Sequence, residues 1–197
     1  MKKLMFLLFI LVFTLSLSAK DVHAGFKLDF NSGLPFQANG TAGFILRHKV
    51  TEYFYFDNVI DAGYTMMYSS SIYDQGMIFS HTFYPTFRFG KGRAFFTFSS
   101  PAPTFKIIPF VHRYFWRETE YYKWSRQSIE LFDQIYFGIS HRISFEIKIN
   151  DLITFSPISL NADLLLNLVA SFLPGNDIAL SAKFMGGLGS YILIRFK

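Results

Sequence analysis

The segment Ser128–Asn150, SIELFDQIYFGISHRISFEIKIN, decides the fold predicted for this chain, because apolar and polar residues alternate along most of it. Successive side chains of a β-strand point to opposite faces, so this period of two gives one apolar and one polar face. The apolar face carries Ile129, Leu131, Ile135, Phe137, Ile139, Ile143, Phe145, Ile147 and Ile149. The segment therefore predicts β-strands with one apolar face.

A hairpin is predicted within this segment. A turn at Ser140–Arg142 places Ile139 opposite Ile143 and keeps the apolar and polar faces separate. Each arm is then about 11 residues long, which matches a tilted strand that crosses a bilayer. The polar pairs predicted across the hairpin are Gln134 with Lys148 and Tyr136 with Glu146.

The composition also differs from that of a soluble domain. Charged residues make up 17% of the 197 residues, against roughly 25% in soluble domains. Aromatic residues reach 20%, and cysteine is absent. The lack of cysteine excludes disulfides, thiolate metal sites and a cysteine nucleophile. The net charge of +5 forms no dense Lys/Arg cluster, so no nucleic-acid partner is predicted.

The N-terminus has the pattern of a cleaved signal peptide. Two lysines precede the apolar run Leu4–Leu17, which is shorter than the roughly 20 residues that a spanning helix needs. Cleavage is predicted after Ala24, with Ala19 as the alternative. This assigns residues 1–24 to the signal peptide and residues 25–197 to one mature domain.

The alternation recurs along the mature chain between turn-forming residues. Tight turns are predicted at Gly90-Lys91-Gly92 and Gly186-Gly187, and a loop at Gly33–Gly40. Segment 93–115 contains Pro101 and reads as one kinked strand or as two strands. Besides the central hairpin, strands are predicted at 25–31, 41–49, 52–68, 77–89, 160–172, 178–184 and 191–197.

Topology favours the kinked strand and a total of ten. In transmembrane β-barrels the periplasmic turns are short, the external loops are long, and both termini face the periplasm. One kinked strand over 93–115 places the long connection Trp116–Gln127 outside and the turns Ser140–Arg142 and Pro174–Asp177 inside. The predicted fold is an all-β, antiparallel, transmembrane up-and-down barrel of about ten strands, with eight as the alternative.

The last strand ends with Ile194, Phe196 and Lys197. It resembles the aromatic-terminated last strand of bacterial outer-membrane barrels, although here the aromatic residue is penultimate. The whole mature chain is similar to the small outer-membrane barrels of diderm bacteria, and its Phe-rich, cysteine-free composition is most similar to spirochaetal members. The resemblance implies a monomeric, surface-exposed barrel in the outer membrane that acts as an adhesin for a host protein or as a narrow pore.

Alternation alone leaves open whether the apolar rows face lipid or a packed interior, because a soluble lipocalin-like carrier shows the same rhythm. Scarce charge and aromatic residues near strand ends favour lipid. Polar residues are few in the apolar rows: His81, Arg113 and Asp133. The polar rows then face the lumen, where charges of both signs predict a lumen plugged by ion pairs. The lumen candidates are Asp57, Asp61, Arg88, Glu130, Glu146, Lys148, Asp163 and Lys183.

Catalysis and cofactor binding find little support. His141 with Ser144 is predicted on the periplasmic side, and adjacent Ser80 and His81 point to opposite faces of a strand. The histidines are scattered without metal-ligand spacing. We therefore expect no enzyme activity, no cofactor and no metal.

The connection Trp116–Gln127 is the best candidate for binding a partner. Trp, Tyr and Arg are enriched in binding hot spots, and both tryptophans of the chain lie here; an interfacial aromatic girdle is the alternative role. The candidates are Trp116, Arg117, Glu118, Tyr121, Tyr122, Lys123, Trp124 and Arg126. The sequence predicts a non-enzymatic surface barrel whose loops bind a partner, with a narrow pore and a soluble carrier as the alternatives.

Overall fold

The computed structural model describes residues 21–34, 37–68, 72–115, 135–167 and 182–196. Within these ranges the regular structure is entirely β-strand. The strands are β1 (Val22–Leu34), β2 (Gln37–Lys49), β3 (Phe54–Tyr68), β4 (Ile72–Phe89), β5 (Ala94–Ser99), β6 (Ala102–Phe115), β7 (Ile135–Lys148), β8 (Ile153–Leu166) and β9 (Ala182–Phe196).

These nine strands form one closed antiparallel ring. Strand β1 pairs with both β2 and β9, and a β3–β4 pairing closes the ring. Strands β5 and β6 both lie between β4 and β7, one after the other, so they share a single position. The described strands therefore occupy eight positions in an up-and-down barrel. The all-β antiparallel prediction is confirmed. The nine described strands occupy eight positions, which matches the predicted alternative of eight rather than the preferred ten.

The two ends of the barrel differ. One end, here called the turn end, holds the start of β1, the end of β9 and the short connections 50–53, 90–93 and 149–152. Gly90 and Gly92 take positive φ values of 126° and 80° in the predicted tight turn between β4 and β5. The opposite end, here called the loop end, holds the connections between β1 and β2, β3 and β4, β6 and β7, and β8 and β9.

The predicted central hairpin is wrong, because β7 runs without a turn through Ser140–Arg142. The apolar rows on the two sides of His141-Arg142 have the same parity, so one continuous strand accommodates both. His141 points outward against the Phe98 ring, with centroids 4.5 Å apart. The real turn follows β7, where Asn150 Oδ1 accepts the backbone N–H of Ile153 at 2.7 Å. Tyr136 and Glu146 therefore lie on the same strand, and that predicted cross-hairpin pair does not form. Gln134, predicted opposite Lys148, lies outside the described residues.

The second predicted turn, Gly186-Gly187, is also wrong. Strand β9 continues through it, with Gly187 opposite Asn31 on β1 and Asn161 on β8. A Cβ atom at Gly187 would lie 1.8 Å from Asn31 Oδ1, so this glycine makes room for an inward amide. Asn39-Gly40, expected in a loop, lies within β2. The predicted turn Pro174–Asp177 is outside the described residues.

The kinked-strand interpretation of 93–115 is correct. Pairing is interrupted between Ser99 and Ala102, where Pro101 cannot donate a hydrogen bond to the ladder. The hydroxyl of Ser99 accepts the backbone N–H of Arg142 at 2.6 Å and bridges the break. One position of the ring thus contains β5, of 6 residues, followed by β6, of 14 residues, in place of one continuous strand.

The barrel is apolar outside and polar inside. Phe26, Leu28 and Phe30 are 63–68% exposed, whereas Lys27 between them is 5% exposed. The large apolar side chains on the outer face of β7 to β9 include Phe137, Ile139, Leu160, Leu164, Phe184, Leu188, Ile192 and Ile194. No helix in the described ranges has the length and hydropathy needed to cross a membrane.

Candidate functional site

The interior of the barrel near the turn end holds a cluster of ionised side chains, here called the arginine cluster: Arg47, Asp57, Arg142 and Glu146. Arg47 binds Asp57 through two hydrogen bonds, with Nε–Oδ1 at 2.7 Å and Nη2–Oδ2 at 2.9 Å. Its third nitrogen, Nη1, lies 2.8 Å from Glu146 Oε1. Arg142 Nη2 also donates to Asp57 Oδ2. All four side chains are at most 3% exposed, and their formal charges cancel.

Aromatic and hydroxyl groups complete the arginine cluster. The Tyr191 hydroxyl donates to Glu146, and the Arg142 guanidinium lies 4.6 Å from the centroid of the Tyr84 ring. Apolar side chains from the same level fill the remaining space: Ile45, Val59, Ala102 and Leu193. These ion pairs connect the wall strands across the lumen, and one atom of the cluster, Arg142 Nη1, has no hydrogen-bond partner among the described residues.

A second set of charges lies nearer the middle of the barrel. Lys27 Nζ is 2.5 Å from Asp29 Oδ2 and 3.1 Å from Asp61 Oδ2. Across the lumen, Lys106 Nζ is 2.5 Å from Asp163 Oδ2. These side chains surround a cavity of about 20 Å³, here called the central chamber. A volume of this size holds about one water molecule, so the interior contains no space for a larger solute at this level.

The structure places the predicted lumen candidates at different depths. Asp57, Asp61, Glu146 and Asp163 are inside the barrel and 0–7% exposed. Lys183 lies near the loop end and donates to the Tyr136 hydroxyl at 2.9 Å.

Of the other three lumen candidates, two lie at the turn end and one is outside the described residues. Arg88 is near the turn end, 3.2 Å from the centroid of the Phe95 ring. Lys148 is at the rim of the turn end, 2.7 Å from exposed Asp151. Glu130 lies outside the described residues.

The cations of the arginine cluster and of the central chamber are absent from the predicted lumen residues. The predicted carboxylates are bound by four cations: Lys27, Arg47, Lys106 and Arg142. Lys27, Arg47 and Lys106 fall on the polar rows of their strands, so the alternation of the sequence is sufficient to predict that they face the lumen. Arg142 was assigned to a turn, and only a continuous β7 turns its side chain inward.

The two catalytic pairs that the sequence offered are not brought together. His141 faces outward, whereas Ser144 faces inward and donates to Ser159 Oγ at 3.1 Å. Ser80 points inward to Asp61, and His81 points outward to Asn58 Oδ1 at 2.7 Å. The described part of the chain contains no group of three His, Cys, Asp or Glu residues placed to hold a metal ion.

The candidate partner-binding residues between Trp116 and Arg126 lie outside the described residues. The strand ends on either side of them are described: β6 ends at Phe115 and β7 begins at Ile135, both at the loop end. This connection therefore joins the barrel at the end opposite the start of β1 and the end of β9.

The turn end is fastened by an ion pair between the first and last strands. Asp21 accepts two hydrogen bonds from Arg195, each 2.6 Å long. Burial alone would raise the pKa of Asp21, but the hydrogen bonds and charge of Arg195 outweigh this effect and hold the pKa below its ordinary value. The carboxylate is therefore charged at neutral pH.

Comparison with solved structures finds the same fold in two bacterial proteins. Neisserial surface protein A is 9% identical and superposes with a TM-score of 0.50 over 89% of this chain and 96% of that protein. Outer membrane protein OprG of Pseudomonas aeruginosa is 6% identical, with a TM-score of 0.53 over 90% of this chain and 96% of that protein. No family model and no curated protein matches the sequence. The chain thus has the fold of small outer-membrane β-barrels.

Proposed function

We propose that this protein is an outer-membrane β-barrel with a closed interior, and that the connections at its loop end bind an extracellular partner. The observation that carries the membrane placement is the inverted distribution of polarity. Apolar side chains cover the outer face of every described strand, whereas the ionised side chains of the arginine cluster are buried. A soluble carrier would require the opposite arrangement.

The dimensions of the strands fit this placement. The unbroken strands are 13 to 18 residues long, which exceeds the 9–11 residues that cross a bilayer at a tilt of about 45°. A closed ring also leaves no unpaired edge, which is a requirement in hydrocarbon. These features support a spanning barrel over a secreted carrier.

The filled interior favours a scaffold function over a pore function. The arginine cluster spans the lumen from β2 through β3 to β7, and the central chamber has a volume of only about 20 Å³. Wide aqueous channels are found in barrels of 16–18 strands. We infer that binding falls to the loop-end connections, and that the barrel holds them at the cell surface.

Membrane insertion is tested by extraction and by gel migration. We expect the protein to stay in the membrane fraction during carbonate extraction and to migrate faster in detergent gels before heating than after it. Release by carbonate without detergent would contradict the proposal. Conductance in planar bilayers should stay at the background level, and a steady ion current would favour the narrow pore.

The binding role is tested on the connection between β6 and β7. Replacement of Trp116, Tyr121, Tyr122 and Trp124 by alanine should reduce binding to host-cell surfaces at least tenfold while heat-modifiable migration is retained. The matched control replaces Tyr53, which is exposed in a tight connection at the turn end, and should leave binding unchanged. Loss of insertion in the Trp and Tyr variants would assign these residues to an interfacial girdle.

A further inference from the structure

Near the loop end, several inward positions carry apolar side chains that pack together, beside buried polar residues such as Gln37 and Thr65. The buried side chains that pack together there are called the apolar layer, and each is at most 5% exposed. The layer consists of Ile78, Ile108, Tyr136, Leu165 and Met185, with Met67 packed against it. Its members come from β3, β4, β6, β7, β8 and β9, so the layer reaches across most of the ring.

The apolar layer lies between the central chamber and the loop end. On β4, Ile78 is nearer the loop end than Ser80 and Thr82, which line the chamber. On β8, Leu165 is nearer the loop end than Asp163. The same order holds on β3, β6 and β7, where chamber-lining residues lie further from the loop end than the layer residues.

Strands β1 and β2 meet the layer through Gly33 and through Asn39, which also lines the central chamber. The Met185 side chain lies over Gly33 of β1, where an added Cβ atom would be 2.8 Å from Met185 Cγ. Asn39 of β2 donates to Met185 Sδ at 3.8 Å and accepts a hydrogen bond from Asn31 at 3.0 Å. The cross-section at this level is therefore filled by side chains from all sides.

The two compartments differ in their capacity to bind water. Two buried atoms of residues that line the central chamber, Asp61 Oδ1 and Asn161 Nδ2, have no hydrogen-bond partner among the described residues. Polar cavities with such groups hold ordered water. The apolar layer offers mainly hydrocarbon and sulfur, and polar side chains beside it are paired: Asn39 binds Asn31 and Met185, and Lys183 binds the Tyr136 hydroxyl. Hydrophobic constrictions exclude water and ions.

We propose that the apolar layer is the permeability barrier of the barrel, which keeps ions at the loop end out of the central chamber. The proposal rests on the closed membrane barrel proposed above, and it assigns the closure to named side chains. The arginine cluster lies on the other side of the chamber, so the chamber is enclosed between a dry layer and a network of ion pairs.

The absence of cysteine in the chain allows a direct test with a single introduced thiol. Thr82→Cys places a thiol in the chamber, at a position that is 4% exposed and nearly isosteric. The refolded protein in detergent is exposed to Ag⁺, an ion small enough to pass where water passes. The thiols that remain free are then titrated after unfolding. We expect Thr82→Cys alone to react slowly.

Opening the layer should make the thiol accessible. In the Thr82→Cys background, Ile108→Ala with Leu165→Ala should raise the rate of Ag⁺ reaction at least tenfold. The matched control is Ile107→Ala with Leu164→Ala, which removes the same kinds of side chain from the outer face and should leave the rate unchanged. Should the first pair fail to fold, Ile78→Thr with Ile108→Thr removes less volume than substitution by alanine, adds two hydroxyl groups to the layer and should give the same acceleration.

Three results would overturn the proposal: fast reaction of Thr82→Cys alone, no acceleration in either layer variant, or equal acceleration in the outer-face control. The Ag⁺ reaction rate is measured only on variants that show heat-modifiable migration and are therefore folded. Failure of membrane insertion is detected by that migration and by carbonate extraction, so it is distinguished from failure of the barrier.

Discussion

At the scale of single residues, the interior depends on matched charges. Asp57 is fully buried and accepts hydrogen bonds from both Arg47 and Arg142. Breaking a buried ion pair by removal of one partner is costly, because the remaining charge is left without compensation in a poorly solvated place. Both guanidinium groups bind this one carboxylate, and Arg47 also binds Glu146. We therefore expect Asp57 to be the most sensitive position of the arginine cluster.

We expect Asp57→Asn to lower the free energy of unfolding by about 3–5 kcal/mol, since buried Arg142 loses its carboxylate partner and buried Arg47 retains only Glu146. Urea unfolding in detergent micelles, followed by tryptophan fluorescence, measures this change. The control is Asp151→Asn, which removes the exposed partner of Lys148 and should cost less than about 1 kcal/mol. Equal stability of the two variants would contradict the role given to the cluster.

At the scale of elements, the first strand begins earlier than the preferred cleavage site suggests. Val22, His23 and Ala24 pair with β2 on one side and β9 on the other. Asp21 binds Arg195, and its carbonyl oxygen accepts the N–H of Lys49 at 3.1 Å. Cleavage after Ala24 would remove all of these contacts, whereas cleavage after Ala19 would retain them.

We therefore expect the mature chain to begin at Lys20. Intact-mass measurement of the membrane protein distinguishes this start from Gly25. Because the residue before the cleaved bond must be small, Ala19→Leu should block processing, and Ala24→Leu should leave it unchanged. A mature chain that begins at Gly25 would contradict this prediction and restore the boundary after Ala24.

At the scale of the whole molecule, the decisive property is that the apolar surface faces outward. A charge on the lipid side at mid-bilayer costs roughly 2–4 kcal/mol, and the cost falls to about 0–1 kcal/mol near the interface. Ile139 is 51% exposed on the outer face of β7. Ser32 points outward close to the loop end of β1.

We expect Ile139→Arg to lower stability in lipid by roughly 2–4 kcal/mol and to reduce the folded fraction, and Ser32→Arg to cost about 1 kcal/mol or less. Unfolding of both variants in phospholipid vesicles measures the difference. If the outer face met water, Ile139→Arg would be tolerated like any surface substitution, and equal stability would rule out the membrane placement.

The sequence by itself determined the strands and their two faces, because alternation is a local property of an extended chain. It therefore predicted that Phe137 and Ile139 share one side and that Asp57 and Glu146 lie on the other. The closer resemblance to spirochaetal barrels stays a prediction. The sequence also carried the signal of the apolar layer, as adjacent apolar pairs such as Met66-Met67 and Ile107-Ile108, which break the alternation near the loop end.

Only the tertiary structure decided where strands end and which charges meet. A period of two keeps the same phase through His141-Arg142, so it cannot distinguish one long strand from a hairpin whose arms match in parity. Arg47 meets Glu146 across 99 residues, and Arg142 meets Asp57 across 85. Such pairings follow from the register and closure of the ring, which depend on strands far apart in the chain rather than on any local pattern.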